Sequence, residues 1–207
     1  KAVILDQDLI IKSGNTLTVK CKVNMPENGK IIVEQGAKLV IDGGRITNDC
    51  YLMWQGIEVW GNTNLSHTNA NQGVLELING AIIENAVNAV TTWKPNDWSK
   101  SGGIIRASNS IFRNNRRSVE FRSYPKTNTS YFDKCIFENT RRLNSGYMGT
   151  DYMVTMENVS GVKFRGCDFE DSNPEANQFY FLKSAIYSSD SYFEVAPYCL
   201  AWDINGN

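Results

Sequence analysis

The sequence predicts an all-β protein: a single-stranded right-handed parallel β-helix of about seven to eight coils, formed as one domain by residues 1–207. Three observations predict this fold. A short motif occurs five times, the motif alternates with the two-residue period of a β-strand, and the distance between copies varies from 25 residues (112 to 137) to 37 residues (46 to 83). A constant motif with variable spacing is typical of a solenoid, whose rungs are fixed and whose loops differ in length.

Each copy begins with an apolar residue, has a small residue three positions later, a large apolar residue two positions after that, and Asn or Asp after two more. The small residues are Gly44, Ala81, Ser110, Cys135 and Cys167. The large residues are Ile46, Ile83, Phe112, Phe137 and Phe169. The closing residues are Asn48, Asn85, Asn114, Asn139 and Asp171. A weaker sixth copy ends at Phe193 and is preceded by Ser191.

The small and large residues of a copy lie two apart, so a strand presents both on one face. Stacked at the strand spacing of about 4.8 Å, the large residues would form an interior ladder with the small residues in a second column. The closing Asn residues suit left-handed corners and could form an amide ladder. A β-sandwich with chance similarity is the alternative fold.

The segment before the first copy is expected to form the first coils, with strands at Thr16–Val23, Lys30–Val33 and Lys38–Ile41. Turns are predicted at 26–29 and 35–36. Long loops are expected at one or two edges of the solenoid, where binding residues often lie. They are Asn62–Gln72, Thr91–Gly102, Arg122–Thr129, Leu143–Met153 and Asp171–Gln178.

The ends of the chain lead to an expectation about its context. The chain starts at Lys1 without a signal segment, and no amphipathic helix capable of capping a coil end is recognisable. Both features favour a fragment of a longer secreted protein, or a solenoid capped by flanking domains. We therefore expect those domains to be among its partners.

Composition excludes two classes of partner. With 21 basic and 22 acidic residues the formal net charge is −1, so bulk electrostatics gives no reason to expect nucleic acid. No apolar run approaches the roughly 20 residues of a membrane span, so membrane insertion is not expected. Hydrophobic residues at 42% and charged residues at 21% are the composition of a folded domain.

Five cysteines and a single histidine argue against zinc, because no Cys-x-x-Cys spacing exists and His67 has no histidine partner. We expect no cofactor and no metal. Cys135 and Cys167 fall in one motif column, where a ladder of buried thiols is favoured over a disulfide because stacked side chains point the same way. The sequence does not decide whether Cys21 and Cys50 form a disulfide.

The ladders resemble the pectate-lyase-like superfamily of right-handed parallel β-helices. More narrowly, Gly36–Gly44, Trp54–Gly61 and Phe112–Arg117 resemble secreted β-helix proteins of the Bacteroidetes type. The resemblance runs from about Ser13 to Phe193 and implies a secreted or cell-surface location in a bacterium. It brings no catalytic motif with it.

Two features are candidate glycan-binding sites. Trp93 and Trp98 flank a short loop, where exposed rings could stack on sugars or could instead cover an adjoining coil. Trp54 and Trp60 lie in a strand-like run, and at least one of them is expected to be packed. The pairs Arg116-Arg117 and Arg141-Arg142 follow their Asn corners by the same offset. Four guanidinium groups could therefore meet and bind carboxylates or sulfates, or they could pair with Glu120 or Glu138.

No catalytic residue is predicted. A hydrolase needs two flanking carboxylates, whereas Asp42, Asp133 and Asp168 are dispersed and His67 is expected to face solvent in its loop. Glu84, Glu138 and Glu170 should stack with Arg113 between them as an outer charge column. The predicted function is a non-catalytic secreted or surface module that presents loops to a glycan, such as a polysaccharide, or to a protein. The alternative is a polysaccharide lyase or glycoside hydrolase.

Overall fold

The computed structural model describes residues 2–144, 149–150, 152–174 and 182–197. Within them the chain forms strands throughout and a single 3-10 turn at Trp98–Lys100. In chain order the strands are β1 Val3–Ile4, β2 Leu9–Ile11, β3 Thr16–Val19, β4 Lys22–Asn24, β5 Lys30–Val33, β6 Lys38–Asp42, β7 Arg45–Thr47, β8 Gly56–Val59, β9 Val74–Ile78, β10 Ile82–Glu84, β11 Asn88–Thr91, β12 Ile104–Ser108, β13 Ile111–Arg113, β14 Arg117–Phe121, β15 Tyr131–Asp133, β16 Ile136–Asn139, β17 Tyr152–Glu157, β18 Ser160–Arg165, β19 Asp168–Asp171, β20 Ser184–Ser189 and β21 Tyr192–Ala196.

Every third strand belongs to the same sheet. The first sheet runs β1-β4-β7-β10-β13-β16-β19, the second β2-β5-β8-β11-β14-β17-β20 and the third β3-β6-β9-β12-β15-β18-β21. Each strand pairs in parallel with the strand one coil away, as between β10 and β13. Seven coils of three strands therefore form the predicted right-handed parallel β-helix. The predicted strand Thr16–Val23 is two strands, because the chain turns a corner at Lys20 and Cys21.

The ladder of large residues is confirmed. Register pairs Ile46 with Ile83, Ile83 with Phe112, Phe112 with Phe137 and Phe137 with Phe169 in the first sheet. The rings of Phe112 and Phe137 stack face to face with centroids 4.8 Å apart, and those of Phe137 and Phe169 are 4.7 Å apart. The first four side chains are fully buried, so the ladder forms the wall of the interior core.

The predicted sixth copy is wrong. Phe193 lies in the third sheet and pairs with Val162, so it belongs to a different column from Phe169. Ser191 stands at the corner before the third sheet, whereas the small residues of the motif stand at the corner before the first. The two corners share a local pattern, a left-handed residue followed by a small one, as in Asp190-Ser191 and Asn109-Ser110.

Left-handed backbone marks the corner before the first sheet. The residue directly before the small position has a positive φ in all five copies: Gly43, Gly80, Asn109, Lys134 and Gly166. Of the closing residues predicted to be left-handed, only Asn85 and Asn114 are. The small position is tight, since a Cβ on Gly44 would stand 2.7 Å from the carbonyl oxygen of Val19.

The column of closing Asn residues is not an amide ladder. Asn48 donates to the carbonyl of Met25, and Asn85 donates to Thr47 Oγ1 and the carbonyl of Asn48. Asn114 exchanges hydrogen bonds with Thr140. These bonds still join neighbouring coils, but they connect each amide to a hydroxyl or to the backbone.

The long loops leave the solenoid at two of its three corners, as expected. Loops 60–73, 92–103 and 122–130 connect the second sheet to the third, whereas 140–151 and 172–183 connect the first to the second. Residues 145–148, 151 and 175–178 of the last two predicted loops lie outside the described residues. The corner from the third sheet to the first is short in every coil.

The four cysteines within the described residues are free thiols. Cys135 is buried, Cys167 is half-buried, and both are free, which confirms the thiol column. Cys21 and Cys50 are exposed and not bridged. Cys167 Sγ lies 3.2 Å from the carbonyl oxygen of Phe132. The hydrogen bond between the two thiols raises the pKa of Cys135 and lowers that of Cys167. Cys199 lies outside the described residues.

His67 does not face solvent, contrary to the prediction, since only 8% of the residue is exposed. Its Nδ1 accepts a 2.9 Å hydrogen bond from the backbone N–H of Thr129, and its ring packs on Tyr124 with centroids 4.9 Å apart. Tyr124 also donates to the carbonyl of Leu65. Loops 60–73 and 122–130 therefore hold each other across two coils.

Burial lowers the pKa of His67 to about 4 from its ordinary 6.5. As pH falls from 6.5 to 4, the unfolded chain takes up a proton that the folded chain refuses, so the stability present above pH 6.5 declines. We expect this residue to reduce the free energy of unfolding by up to about 3 kcal/mol over that interval. Urea unfolding at both pH values measures it. His67→Gln is the control, and an equally steep pH dependence in that variant would contradict the assignment.

No helix of the described residues has the length and apolar character needed to span a bilayer.

Candidate functional site

A polar column runs along the outer face of the second sheet. Register places Thr91 beside Glu58 on one side and Glu120 on the other, and Glu120 beside Thr155. All four residues are buried although they point away from the core. Lys30 and Trp60 contact Glu58, and Trp93, Arg117 and Arg122 contact Glu120, so a layer of side chains covers this stretch of the face.

Part of that layer is the loop 92–103, and its sequence explains its shape. Lys94-Pro95-Asn96-Asp97 forms a turn in which the N–H of Asp97 donates to the carbonyl of Lys94 over 3.0 Å. Pro95 fixes the first central position and Asn96, with φ of 67°, takes the left-handed second one. The turn brings together the tryptophans on either side of it.

Trp93 and Trp98 stack with ring centroids 4.8 Å apart and planes inclined by 19°. Trp93 is half-buried and its indole N–H donates to Glu120 Oε2 over 3.1 Å. Trp98 remains 57% exposed. The two roles considered for this pair are therefore divided between its members: Trp93 covers the second sheet, and Trp98 lies on the surface.

Trp60 extends the aromatic surface into the preceding coil, and we call Trp60, Trp93 and Trp98 the aromatic patch. The indole N–H of Trp60 donates to Glu58 Oε2 over 2.9 Å. The ammonium groups of Lys94 and Lys100 lie 4.7 and 5.2 Å from its ring centroid. Trp54, by contrast, is fully buried in the core, which confirms that at least one of these two tryptophans is packed.

The guanidinium group of Arg122 lies against both stacked rings of the aromatic patch. Its guanidinium carbon is 5.6 Å from the Trp93 centroid and 5.9 Å from the Trp98 centroid. It donates to Glu120 over 2.9 Å and also pairs with Glu157. Ion pairs on one side and aromatic faces on the other hold this side chain in place.

A cleft of about 350 Å³ opens beside the turn of the aromatic patch. Its lining includes Lys30, Glu58, Asn88, Thr91 and Pro95. Asn88 Oδ1 and Thr91 Oγ1 are buried and have no hydrogen-bond partner in the described part of the protein. Buried polar atoms are nearly always paired, so these two oxygens leave hydrogen-bonding capacity that the described residues do not use.

The arginines of the predicted quartet differ in their contacts. Arg117 lies in β14 and pairs with Glu120 over 2.6 Å, which is the ion pair foreseen as its alternative. Arg141 instead donates to Asn85 at the corner between the first and second sheets. Arg116 is half-buried, Arg142 is exposed, and both have contacts of their own.

Glu58, Glu120, Trp60 and Arg122 are site residues that the sequence analysis did not assign. They come from two different coils, those of β8 and β14, and Glu120 lies 27 residues from the indole that binds it. The available signal was the position of Glu58 and Glu120, which alternate with apolar residues at equivalent places in their strands.

The outer column predicted in the first sheet is confirmed, because Glu84 aligns with Arg113, Arg113 with Glu138 and Glu138 with Glu170. It is not uniformly solvated, however, since Glu84 is buried and also accepts from Arg45 and Thr47. Within the described residues no group of three His, Cys, Asp or Glu side chains could hold a metal ion.

No protein-family model and no curated protein matches the sequence. The resemblance to pectate-lyase-like and Bacteroidetes proteins therefore stays a prediction, and the architecture of three parallel seven-stranded sheets is what the molecule shows.

Proposed function

We propose that this chain is a non-catalytic secreted or surface-displayed β-helix module that binds a glycan through the aromatic patch and the cleft beside it. The observation that carries the proposal is the stacked Trp93–Trp98 pair, in which a rigidly supported indole presents more than half of its surface to solvent. Sugar rings bind by placing their C–H faces on such indoles, and aromatic side chains dominate recognition surfaces.

The surroundings of the pair support a saccharide rather than an apolar ligand. Glu58, Asn88, Thr91 and Lys30 line the cleft next to the rings, so hydrogen-bonding groups adjoin a stacking surface. Arg117 and Arg122 orient Glu120, and Glu120 in turn orients Trp93. Preorganised side chains lose little conformational entropy on binding, which favours affinity.

A panel of neutral and uronate polysaccharides, scored for retention of the protein, tests the proposal. We expect Trp98→Ala to weaken retention about tenfold or more, since stacking contacts at a hot spot are worth 2 kcal/mol or more. Trp93→Ala combined with Trp98→Ala should abolish it. Tyr192→Ala removes an aromatic residue that is 73% exposed in β21 and is the matched control.

Retention of no member of the panel, or equal retention by the Trp98 and Tyr192 variants, would contradict the proposal.

Cleavage of the bound polysaccharide is the second candidate function. Glu58 and Glu120 lie two coils apart on one outer column with Thr91 between them, which separates their backbones by about 9.6 Å at the usual strand spacing. Inverting hydrolases place two carboxylates at a comparable distance. Each carboxylate is, however, hydrogen-bonded to an indole and to at least one cation, an arrangement that suits positioning. Reducing ends released from the same panel, and lost in Glu120→Gln, would establish cleavage instead of binding alone.

A further inference from the structure

A second cleft lies at the corner between the first and second sheets, and we call it the Arg141 cleft. It is open to solvent and is lined by residues from four successive coils. Those that matter here are Arg45, Tyr51, Arg113 and Arg141. None of them belongs to the aromatic patch.

Arg141 is the cation of this cleft that has no carboxylate partner. Arg45 pairs with Glu84, and Arg113 pairs with Glu138 over 2.5 Å. Within the described residues Arg141 forms no ion pair, and its guanidinium instead donates to the side-chain oxygens of two neutral amides, Asn85 and Asn144. Its positive charge is therefore positioned but not neutralised.

The two amides come from distant parts of the chain and fix the guanidinium group. Asn85 is buried, lies two coils earlier and accepts over 2.9 Å. Asn144 is itself tied to the loop between β7 and β8, three coils earlier, because its Nδ2 donates to the carbonyl of Leu52 over 3.2 Å. A guanidinium has five N–H donors, so two bonds to amides leave three donors for a ligand.

Tyr51 supplies the other half of the site. It adjoins Leu52, is 81% exposed, and has a left-handed backbone with φ of 56°. Bulky residues adopt that conformation rarely, and its cost of about 1–3 kcal/mol is usually met at ligand-binding positions. The loop thus holds an aromatic ring in the open beside the charged group.

We propose that the Arg141 cleft binds the carboxylate of an acidic sugar unit, with the carboxylate on Arg141 and the sugar ring against Tyr51. An arginine with free donors on one side binds a carboxylate through paired hydrogen bonds, and a tyrosine face packs on a pyranose. Asp49, which also lines the cleft, pairs with Lys22 over 2.5 Å. The charge still to be compensated among the described residues of the cleft is therefore the single positive one of Arg141, which a monoanion satisfies. This site does not depend on the aromatic patch.

Calorimetric titration with D-glucuronate, D-glucose and acetate tests the proposal. Glucuronate should bind saturably. Glucose should bind at least about tenfold more weakly, because it lacks the carboxylate that the guanidinium recognises. Added salt should weaken glucuronate binding, since the site is exposed. Acetate should bind more weakly than glucuronate because it cannot reach Tyr51.

Three variants separate the components. Arg141→Gln should weaken glucuronate binding about tenfold or more, and Arg141→Lys by an intermediate factor because it keeps the charge without the fork. Tyr51→Ala should weaken glucuronate several-fold and leave acetate unchanged. Arg106→Gln is the matched control, since Arg106 also donates to an amide, that of Asn69, but outside the cleft.

Binding of glucuronate should persist in Trp98→Ala, so that failure of the aromatic patch and failure of the Arg141 cleft are distinguishable. Absence of saturable glucuronate binding, equal affinity for glucose, or an unchanged affinity in Arg141→Gln would overturn the proposal. So would loss of glucuronate binding in Trp98→Ala, because the anion would then be bound at the aromatic patch.

Discussion

Replacing Gly56 by Ala should destabilise the protein by about 4 kcal/mol or more, which is a large part of the total stability of a typical domain. The Cβ of an alanine there would lie 1.6 Å from the carbonyl oxygen of Asn88 and 2.6 Å from its carbonyl carbon. Both atoms belong to the backbone of the next coil, so no side-chain rotation can relieve the overlap. Strands β8 and β11 would have to separate at the start of the covered face.

Gly80→Ala is the matched control for this experiment. Gly80 also has a positive φ, 77° against 113° for Gly56, but a Cβ there would meet nothing within 4 Å. The Gly80→Ala variant should therefore lose only about 1–2 kcal/mol of stability, which is the cost of a left-handed conformation for a residue with a Cβ. Urea unfolding of both variants measures the difference. Similar losses in the two variants would show that backbone conformation, and not contact between coils, requires glycine at position 56.

Phe137→Ala should reduce the free energy of unfolding by about 3–5 kcal/mol. The ring is fully buried, stacks on Phe112 and Phe169, and meets Phe132 edge to face at 5.6 Å. Its removal leaves a cavity in the middle of the ladder and breaks aromatic contacts on both sides. Neighbouring coils pair through the same strand, so they cannot collapse into the space without shifting register.

Phe169→Ala provides the comparison within the same column, because Phe169 is only half-buried. We expect it to cost less than half as much as Phe137→Ala. Chemical denaturation with fluorescence detection measures both values. An equal or larger loss at Phe169 would contradict the ladder as the source of the stability.

The ladder could be predicted because its signal is local and repeated. Ile46, Ile83 and Phe112 each stand two residues after a small residue, and the same alternation in every copy fixes their face and their column. The prediction for Phe193 was wrong because a single weak copy of the motif does not show which corner of the solenoid it follows. Two corners of this solenoid combine a left-handed residue with a small one, as Lys134-Cys135 and Asp190-Ser191 do.

The candidate site could be predicted only in part. The pairing of Trp93 with Trp98 can be recognised because the turn that joins them is formed by four consecutive residues, Lys94–Asp97. Glu120 and Arg122 could not be assigned to the same site, since their approach to Trp93 depends on how the coils stack. His67 was misplaced for the same reason, because the residues that bury it, Tyr124 and Thr129, lie more than 50 positions later in the chain.

The short corner between the third and first sheets has a consequence for how such a protein can diversify. That corner is two or three residues long between the described strands, and at Gly44 a Cβ would already lie 2.7 Å from the carbonyl oxygen of Val19 in the coil behind it. The segments at the other two corners range from two residues, at 190–191, to 14 residues, at 60–73. Changes in loop sequence and length can therefore alter recognition along two edges of the solenoid while the third corner stays short, so that new specificities arise by exchange of loops.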